Sequence, residues 1–302
     1  MKTKTYQSKW RSDKAEQNYR KLEAAGWEAA TDSPPVAIDV ATSFGPTRAY
    51  RWQGGGPAVV FLHGMGDTSV RWIPFAEQLG DRDVYAIDIM GDVGQSVHEV
   101  GFTSAADYAV WLDETLDGLG LDKPHVVGHS LGGYIALLYA MTSEGGESER
   151  AASTVAFDPV GVVDLRMIRF MAWGMAAGLS SFGPAPFRQM MACRLKHPLV
   201  LDKAGMRLVV KGQMGRPPKL PPLPVFTDDQ LGAIKGPLHL VTGTGSTIFD
   251  VKRMVERTKT HVAKAETHLL DGAGHALTMT HFDECLRIIR SVTAITTAES
   301  NH

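Results

Sequence analysis

The segment Gly128-His129-Ser130-Leu131-Gly132-Gly133 constrains the fold of this chain more than any other. It has the pattern G-x-S-x-G, and it lies between apolar Val126-Val127 and a helix-compatible run at 134–140. A strand, a sharp turn and a helix in this order expose the serine hydroxyl on the turn. Glycines are needed there because a side chain would collide with the neighbouring strand and helix. The pattern therefore predicts a nucleophilic serine, Ser130.

Continuous apolar runs alternate along the chain with segments of helical periodicity. Continuous rather than alternating hydrophobicity is typical of strands that are covered on both faces. Residues 108–119 and 282–293 repeat their apolar positions at intervals of three and four, which predicts amphipathic helices. This alternation predicts an α/β fold with a mostly parallel sheet of eight strands. The predicted strands are 36–41, 47–52, 57–62, 84–89, 125–127, 153–157, 238–241 and 268–270, of which the first two are close enough to form an antiparallel hairpin.

Composition excludes several classes of partner. The chain has 31 basic and 33 acidic residues and no basic block, which argues against nucleic acid. No run approaches the ~20 apolar residues that span a bilayer, so we expect no membrane partner. The charged start, Met1 to Tyr6, lacks the apolar run of a signal peptide, so we expect a cytoplasmic protein. Cys193 and Cys285 fit no metal spacing, and we expect both to be reduced and buried.

The strand and helix pattern predicts one domain over residues 1–302, with two additions. The first is an N-terminal helical extension in residues 1–30, with a helix over 8–26 that ends near Gly26. The second is a helical insertion after the sixth strand, residues 160–227, which could lie over the serine as a cap or lid. It opens with a methionine-rich run and closes with a proline-rich connector. Methionine adapts to irregular apolar surfaces and suits an acyl-binding wall, although these methionines could equally pack the insertion on the body.

A serine hydroxyl needs a base, and we predict His275 for that role. It lies in Asp271-Gly-Ala-Gly-His275, between the last predicted strand and the last predicted helix. The glycines allow this loop to carry the imidazole over the edge of the sheet. His268 is expected in the last strand, His281 at the start of the last helix, and His129 in a structural role within the turn.

The negative charge that develops on a carbonyl oxygen needs hydrogen-bond donors that are already in position. The loop His63-Gly64-Met65-Gly66 follows the third predicted strand. We predict that the backbone N–H groups of Met65 and Leu131 form an oxyanion hole. His63 is expected to brace this loop.

These motifs, in this order and spacing, resemble the α/β-hydrolase superfamily. The resemblance extends from about residue 34 to residue 292 and is weakest in the insertion. More narrowly, three segments resemble bacterial carboxylesterases of the aryl-propionate (naproxen) esterase type: Ile87-Asp-Ile-Met-Gly-Asp92, Val225-Phe-Thr-Asp-Asp-Gln-Leu231 and Asp271-Gly-Ala-Gly-His-Ala276. The resemblance implies an eight-stranded α/β-hydrolase fold and ester hydrolysis, but the substrate does not carry over with it.

The chain departs from this superfamily at the carboxylate that should orient the histidine. The usual position, three residues after the glycine that ends the seventh strand, is Ser246, which cannot carry a charge. We predict that Asp158, at the end of the sixth strand, supplies the carboxylate, as the resemblance to superfamily members with that arrangement implies. The alternatives are Asp250, which is expected to start a helix, and a site without a carboxylate.

The leading functional hypothesis is a serine hydrolase that cleaves a carboxylic ester or related acyl compound of a hydrophobic small molecule through an acyl-enzyme. No metal or cofactor is expected. Two alternatives are a scaffold that binds a small ligand with little turnover, and a non-hydrolytic biosynthetic enzyme. The sequence leaves open ester, lactone and thioester substrates and the oligomeric state.

Overall fold

The computed structural model describes residues 4–142 and 150–294. The start of the chain, Met1 to Thr3, on which the signal-peptide argument partly rests, lies outside this part. Within the described residues, no helix combines the length and the apolar character that crossing a membrane would require.

Eight strands form one sheet in the order β1-β2-β4-β3-β5-β6-β7-β8. The pairs β1–β2 and β2–β4 are antiparallel and all other neighbours are parallel, so the predicted hairpin and the mostly parallel sheet are confirmed. The strands are β1 (Val36–Val40), β2 (Thr47–Trp52), β3 (Ala58–Leu62), β4 (Asp83–Ile87), β5 (His125–His129), β6 (Ser153–Phe157), β7 (Leu238–Gly243) and β8 (Ala265–Leu270).

Helices cover both faces of the sheet, which explains why the inner strands are continuously apolar. The helices are α1 (Asp13–Ala30), α2 (Ile73–Gln78), α3 (Asp107–Gly118), α4 (Leu131–Met141), α5 (Met167–Ser180), α6 (Ala185–Leu195), α7 (Lys203–Gly215), α8 (Asp228–Ala233), α9 (Val251–His261), α10 (Leu277–Thr280) and α11 (Phe282–Val292), with short 3-10 turns at Ser69–Trp72 and Pro198–Val200. One hydrophobic core lies between the sheet and α3, α4, α8 and α9, and the other lies between the sheet and α2 and α11.

The predicted strand ends are mostly within two residues of those observed, and the largest differences are in the N-terminal helix and in β8. The N-terminal helix begins at Asp13, because the Ser12 side chain accepts the Ala15 N–H as its cap, and it continues through Gly26 to Ala30. The Trp27 ring packs against the Tyr50 ring at a tilt, with 4.4 Å between ring centroids, so packing on β2 stabilises the last turn. Strand β8 begins at Ala265, three residues earlier than predicted. As an edge strand it is only half-buried there, and it lacks the continuous apolar signal.

The segment between β6 and β7 is helical, as expected, and has a small core of its own around Leu199, Val200 and Met206. Its helix α7 packs against α1. The methionines at the start of the insertion are largely exposed rather than packed on the body, Met171 and Met175 each at 64%. Both cysteines are free thiols, but Cys193 is exposed, so the expectation of burial was right only for Cys285.

Helix α1 buries a carboxyl group, Glu23, which is 1% exposed. Burial, together with the negative charge of Asp88, raises the pKa of Glu23 to about 8. Because the unfolded chain releases this proton at a lower pH, the group stabilises the fold below about pH 4.5, and this contribution disappears as the pH rises through about 8.

We expect Glu23→Gln to become progressively more stable than the wild type as the pH rises from 5 to 8. Denaturant unfolding at several pH values measures this difference. The exposed Glu28→Gln on the same helix is the matched control, and it should show no such trend. An equal pH slope for Glu23→Gln and the wild type would contradict the prediction.

Candidate active site

Ser130 lies on a strained turn between β5 and α4. Its backbone angles, φ 54° and ψ −109°, are outside the regions that non-glycine residues normally adopt. Its N–H donates to the Phe157 carbonyl at 2.9 Å, which ties the turn to the end of β6. The flanking glycines are required by close backbone approach: a Cβ on Gly128 would lie 2.1 Å from the Gly132 oxygen, and one on Gly132 would lie 2.1 Å from the Leu62 oxygen.

We expect Gly132→Ala to lower the free energy of unfolding by about 3 kcal/mol or more, because the obstructing atoms are backbone and cannot rotate away. Denaturant unfolding measures this loss. Gly55→Ala is the control, since a Cβ there meets no atom within 4 Å. Equal stability of the two variants would show that the turn has room for a side chain.

His275 lies on the loop after β8, beside the serine. Its Nε2 is 3.1 Å from Ser130 Oγ. Its carbonyl oxygen lies 2.8 Å from His129 Nε2, and burial lowers the pKa of His129 to about 4. A neutral His129 can therefore donate from Nε2 to this carbonyl and hold the loop, which gives it the kind of structural role that was expected. The rings of Phe170 and Trp173 contact the His275 ring edge to face.

Asp158 follows β6 and is fully buried. Its Oδ2 is 2.6 Å from His275 Nδ1, and its Oδ1 accepts the Thr242 hydroxyl at 2.5 Å. Strand β6 lies between β5 and β7, so the end of β6 is next to the serine turn. The left-handed backbone at Asp158, φ 42°, is uncommon for a non-glycine residue.

The two other positions considered for the acid have different surroundings. Ser246 Oγ lies 3.5 Å from Asp158 Oδ2, so this serine adjoins the carboxylate. Asp250 is exposed and accepts the Arg253 N–H as the cap of α9, whereas the carboxylate that contacts His275 is that of Asp158. Thr242, which holds Asp158, was missed because it reads as an ordinary residue of a buried strand.

Hydrogen bonds to the segment after β4 fix the loop after β3. The Gly66 N–H donates to Asp92 Oδ2 at 2.8 Å, and burial raises the pKa of that carboxyl group. His63 accepts the Ile89 N–H at Nε2, 3.0 Å away, and contacts the Gly64 oxygen through Nδ1, which is the bracing expected of it. In the described part of the chain, neither the Met65 nor the Leu131 N–H donates to another protein group.

Two cavities meet at Ser130 and His275. The larger, about 390 Å³, has a mixed lining that includes the Asp67–Arg71 ion pair, with 2.6 Å between Oδ2 and Nε. Its wall also includes His197, which stacks on Trp173 and whose pKa is lowered to about 4 by burial and by Arg71. The smaller, about 310 Å³, has a largely apolar lining that includes Val163, Leu165, Leu220, Pro221, Leu223, Val225 and Phe249.

The sequence analysis did not identify these cavity residues. Arg71, Trp173 and His197 come from a loop and from the insertion, and no motif marks them. Within the described residues, His275 and Asp158 bind each other and are not part of a group of side chains that could hold a metal ion. Chemically, this arrangement can remove a proton from a hydroxyl and hold the resulting imidazolium.

Comparisons with known proteins find carboxylesterases among the relatives of this chain. The chain is 29% identical over 228 residues to an uncharacterised carboxylesterase, nap, of Bacillus subtilis, covering 74% of each chain. It is 27% identical over 264 residues to carboxylesterase YbfK of the same organism, covering 80% of this chain and 82% of the relative. The crystal structure of naproxen esterase from Bacillus subtilis superimposes with a TM-score of 0.78 at 24% identity, over 93% of this chain and 98% of that one.

The eight-stranded fold and the resemblance noted from the motifs are thus confirmed. A model of the alpha/beta hydrolase family matches residues 59–288, a range that contains the serine turn, the loop after β3 and the histidine loop. The chain belongs to the alpha/beta hydrolase family.

Proposed function

We propose that this protein is a carboxylesterase-like serine hydrolase that acts through an acyl-enzyme. The observation that supports this proposal most directly is a pair of hydrogen-bond contacts that link the three side chains. Ser130 Oγ lies 3.1 Å from His275 Nε2, and His275 Nδ1 lies 2.6 Å from Asp158 Oδ2. A base within hydrogen-bond reach of a hydroxyl, itself oriented by a carboxylate, is the arrangement that activates a serine. The carboxylesterase names of its relatives support the same reaction.

In the first half of the reaction, Ser130 Oγ attacks the ester carbonyl as His275 Nε2 takes its proton. Asp158 stabilises the imidazolium that forms and does not itself accept the proton. The N–H groups of Met65 and Leu131 stabilise the oxyanion. The tetrahedral intermediate then breaks its bond to the alkoxy oxygen, which leaves as the alcohol with the proton from His275.

In the second half, a water molecule gives a proton to His275 and attacks the acyl carbon. Collapse of this second tetrahedral intermediate breaks the bond to Ser130 Oγ, to which His275 returns the proton. The carboxylic acid is released and the serine is restored. No electron transfer or cofactor is needed for either half.

The two cavities favour an ester with apolar groups on both sides of the carbonyl. The 310 Å³ cavity offers an aliphatic and aromatic wall to one group. The 390 Å³ cavity accepts the other group between Trp173, Met206 and Met279, with the Asp67–Arg71 pair and His197 as polar contacts. Helix α5 contributes to both walls through Phe170, so we infer that the insertion acts as a cap over the serine.

A fluorophosphonate probe tests the activated serine directly. We expect one probe per chain, attached at Ser130 and located by peptide mass spectrometry, together with hydrolysis of p-nitrophenyl esters. Rates should rise as the acyl chain lengthens from acetate toward octanoate, because a longer chain fills more of the apolar cavity. Neither labelling nor hydrolysis in a folded preparation would refute the proposal and favour a ligand-binding scaffold.

The ligand-binding alternative was motivated by Ser246 at the usual acid position. Asp158 lies 2.6 Å from the imidazole, so the serine at 246 no longer argues for an inactive site. We therefore retain the hydrolase as the single proposal.

A further inference from the structure

Three potential metal ligands meet on the outer two strands of the sheet. His239 on β7 is paired directly with Glu266 on β8. His268 lies two residues beyond Glu266, so all three side chains project from the same face of the sheet. They lie on β-strands, whose backbone holds their relative positions better than a loop would.

The distances among these groups suit a tetrahedral ion. His239 Nδ1 is 3.2 Å from His268 Nε2 and 3.7 Å from Glu266 Oε2. Two ligand atoms at ~2.0–2.1 Å from a tetrahedral Zn²⁺ are separated by roughly 3.3 Å. The two nitrogens already have this separation, and a carboxylate oxygen of Glu266, whose side chain is exposed, lies within 4.8 Å of both.

We propose that His239, Glu266 and His268 bind a divalent transition-metal ion, Zn²⁺ above all, with water as the fourth ligand. Two imidazoles and one carboxylate suit Zn²⁺ and disfavour Mg²⁺ and Ca²⁺, which prefer sets of oxygen ligands.

The spacing of these ligands explains why the sequence analysis expected no metal. Glu266 and His268 form a short pair, but His239 precedes them by 27 residues and joins them only through the pairing of β7 with β8. A bound ion would join the edge strand β8 to β7. Because β8 leads directly into the loop of His275, the ion would stabilise the support of that loop rather than take part in the reaction.

Titration calorimetry of chelator-treated protein without a histidine tag, with ZnCl₂ alone, tests the site. We expect one Zn²⁺ per chain, no binding of Mg²⁺, and a higher melting temperature with Zn²⁺. Co²⁺ should give the intense visible absorption of a tetrahedral site. His239→Ala and His268→Ala should each weaken Zn²⁺ binding at least tenfold, whereas the control His261→Ala should not.

Circular dichroism establishes that each variant is folded, and His268→Gln offers a milder change if alanine disturbs β8. Wild-type protein that binds no Zn²⁺, or variants that bind it as well as the wild type, would overturn the proposal. Esterase activity is not used as the readout, so failure here is distinct from failure of the proposed function.

A separate observation concerns the outer surface of α5 and α6, which exposes many large apolar side chains. Ile168 is 85% exposed, Phe182 80% and Leu179 69%. With Met171 and Met175, which lie between them at intervals of three and four, they form an apolar stripe along α5 and just beyond it. We call this the cap stripe: Ile168, Met171, Met175, Leu179 and Phe182.

The charged residues of the sequence between Asp164 and Asp202, which carries the cap stripe, are all basic, and one of them, Arg166, lies 4.0 Å from the carboxylate of Asp250. Residues 165–201 contain five basic residues and no acidic residue, although the whole chain has a net charge of −2. The basic residues are Arg166, Arg169, Arg194 and Lys196, together with Arg188, whose guanidinium Nε and Nη1 atoms are buried. An apolar helix face with basic neighbours is the pattern of helices that lie on anionic lipid surfaces.

The cap stripe is also continuous with the site. Met171 and Met175 are exposed and at the same time line the 390 Å³ cavity beside Ser130. The cap stripe and the wall of this cavity therefore share two side chains. We infer that the cap stripe docks on an anionic lipid–water interface, although composition predicted no membrane partner.

Vesicle co-sedimentation tests this inference. We expect the protein to bind phosphatidylglycerol vesicles, to bind phosphatidylcholine vesicles at least tenfold more weakly, and to be released by 0.5 M NaCl because salt screens the basic side chains. Ile168→Glu/Phe182→Glu should abolish binding and leave hydrolysis of a dissolved ester unchanged. Val100→Glu is the control, a charge placed on a residue that is 55% exposed elsewhere.

Two results would overturn the inference: no binding to phosphatidylglycerol vesicles, or equal binding by the double variant. The alternative is that a second copy of the chain covers the cap stripe. Sedimentation velocity tests it, because the wild type would then be a dimer and the double variant a monomer. The docking measurement does not depend on ester hydrolysis and can succeed or fail independently of the proposed function.

Discussion

Ser130→Ala is expected to lower kcat for a p-nitrophenyl ester by about 10⁶-fold and to abolish fluorophosphonate labelling. The size follows from a site in which serine and histidine act as one unit, so that loss of either group removes nucleophilic catalysis altogether. Ser130 Oγ is the hydroxyl that His275 Nε2 contacts, at 3.1 Å. Steady-state kinetics, with a correction for the uncatalysed rate, measures the loss.

The double variant Ser130→Ala/His275→Ala makes this prediction sharper. We expect it to be no slower than either single variant, because the two groups contribute only together. Unfolding curves should show that all three variants are folded, since neither change introduces a new atom. A Ser130→Ala enzyme within tenfold of the wild-type rate would eliminate the serine mechanism.

Asp158→Asn should lower kcat by about 10³-fold or more. An amide at this position cannot stabilise the imidazolium, and it presents its NH₂ group to the wrong histidine tautomer. The 2.6 Å contact to His275 Nδ1 and the complete burial of Asp158 both support a large effect. The matched control is Asp250→Asn, which keeps a side-chain oxygen as the cap of α9 and should leave kcat unchanged.

A second substitution, Ser246→Asp, should restore part of the kcat that Asp158→Asn loses. Ser246 Oγ is 3.5 Å from the carboxylate of Asp158, so an aspartate at 246 could reach the same imidazole nitrogen. We expect Asp158→Asn/Ser246→Asp to recover at least tenfold of the lost kcat. A purely structural role for Asp158 would give a less stable enzyme without a specific loss of kcat and without rescue.

Much of the fold could be predicted from local patterns in the sequence. Buried parallel strands are continuously apolar, so β3, β5 and β6 could be located closely, whereas the half-buried edge strand β8 was placed three residues late. The end of α1 was also misplaced, because Gly26 signals a stop and the packing of Trp27 on β2 overrides it. Local signals cannot report a contact between residues that are distant in the chain.

The same distinction applies to the site. The sequence by itself determined the serine turn, since its glycines are demanded by backbone contacts within a few residues and with the adjacent strand. Which carboxylate faces the histidine was left open between Asp158, Asp250 and neither. Only the tertiary structure decided this geometry, because the order of strands places the end of β6 between β5 and β7 and brings residues 117 positions apart within 2.6 Å.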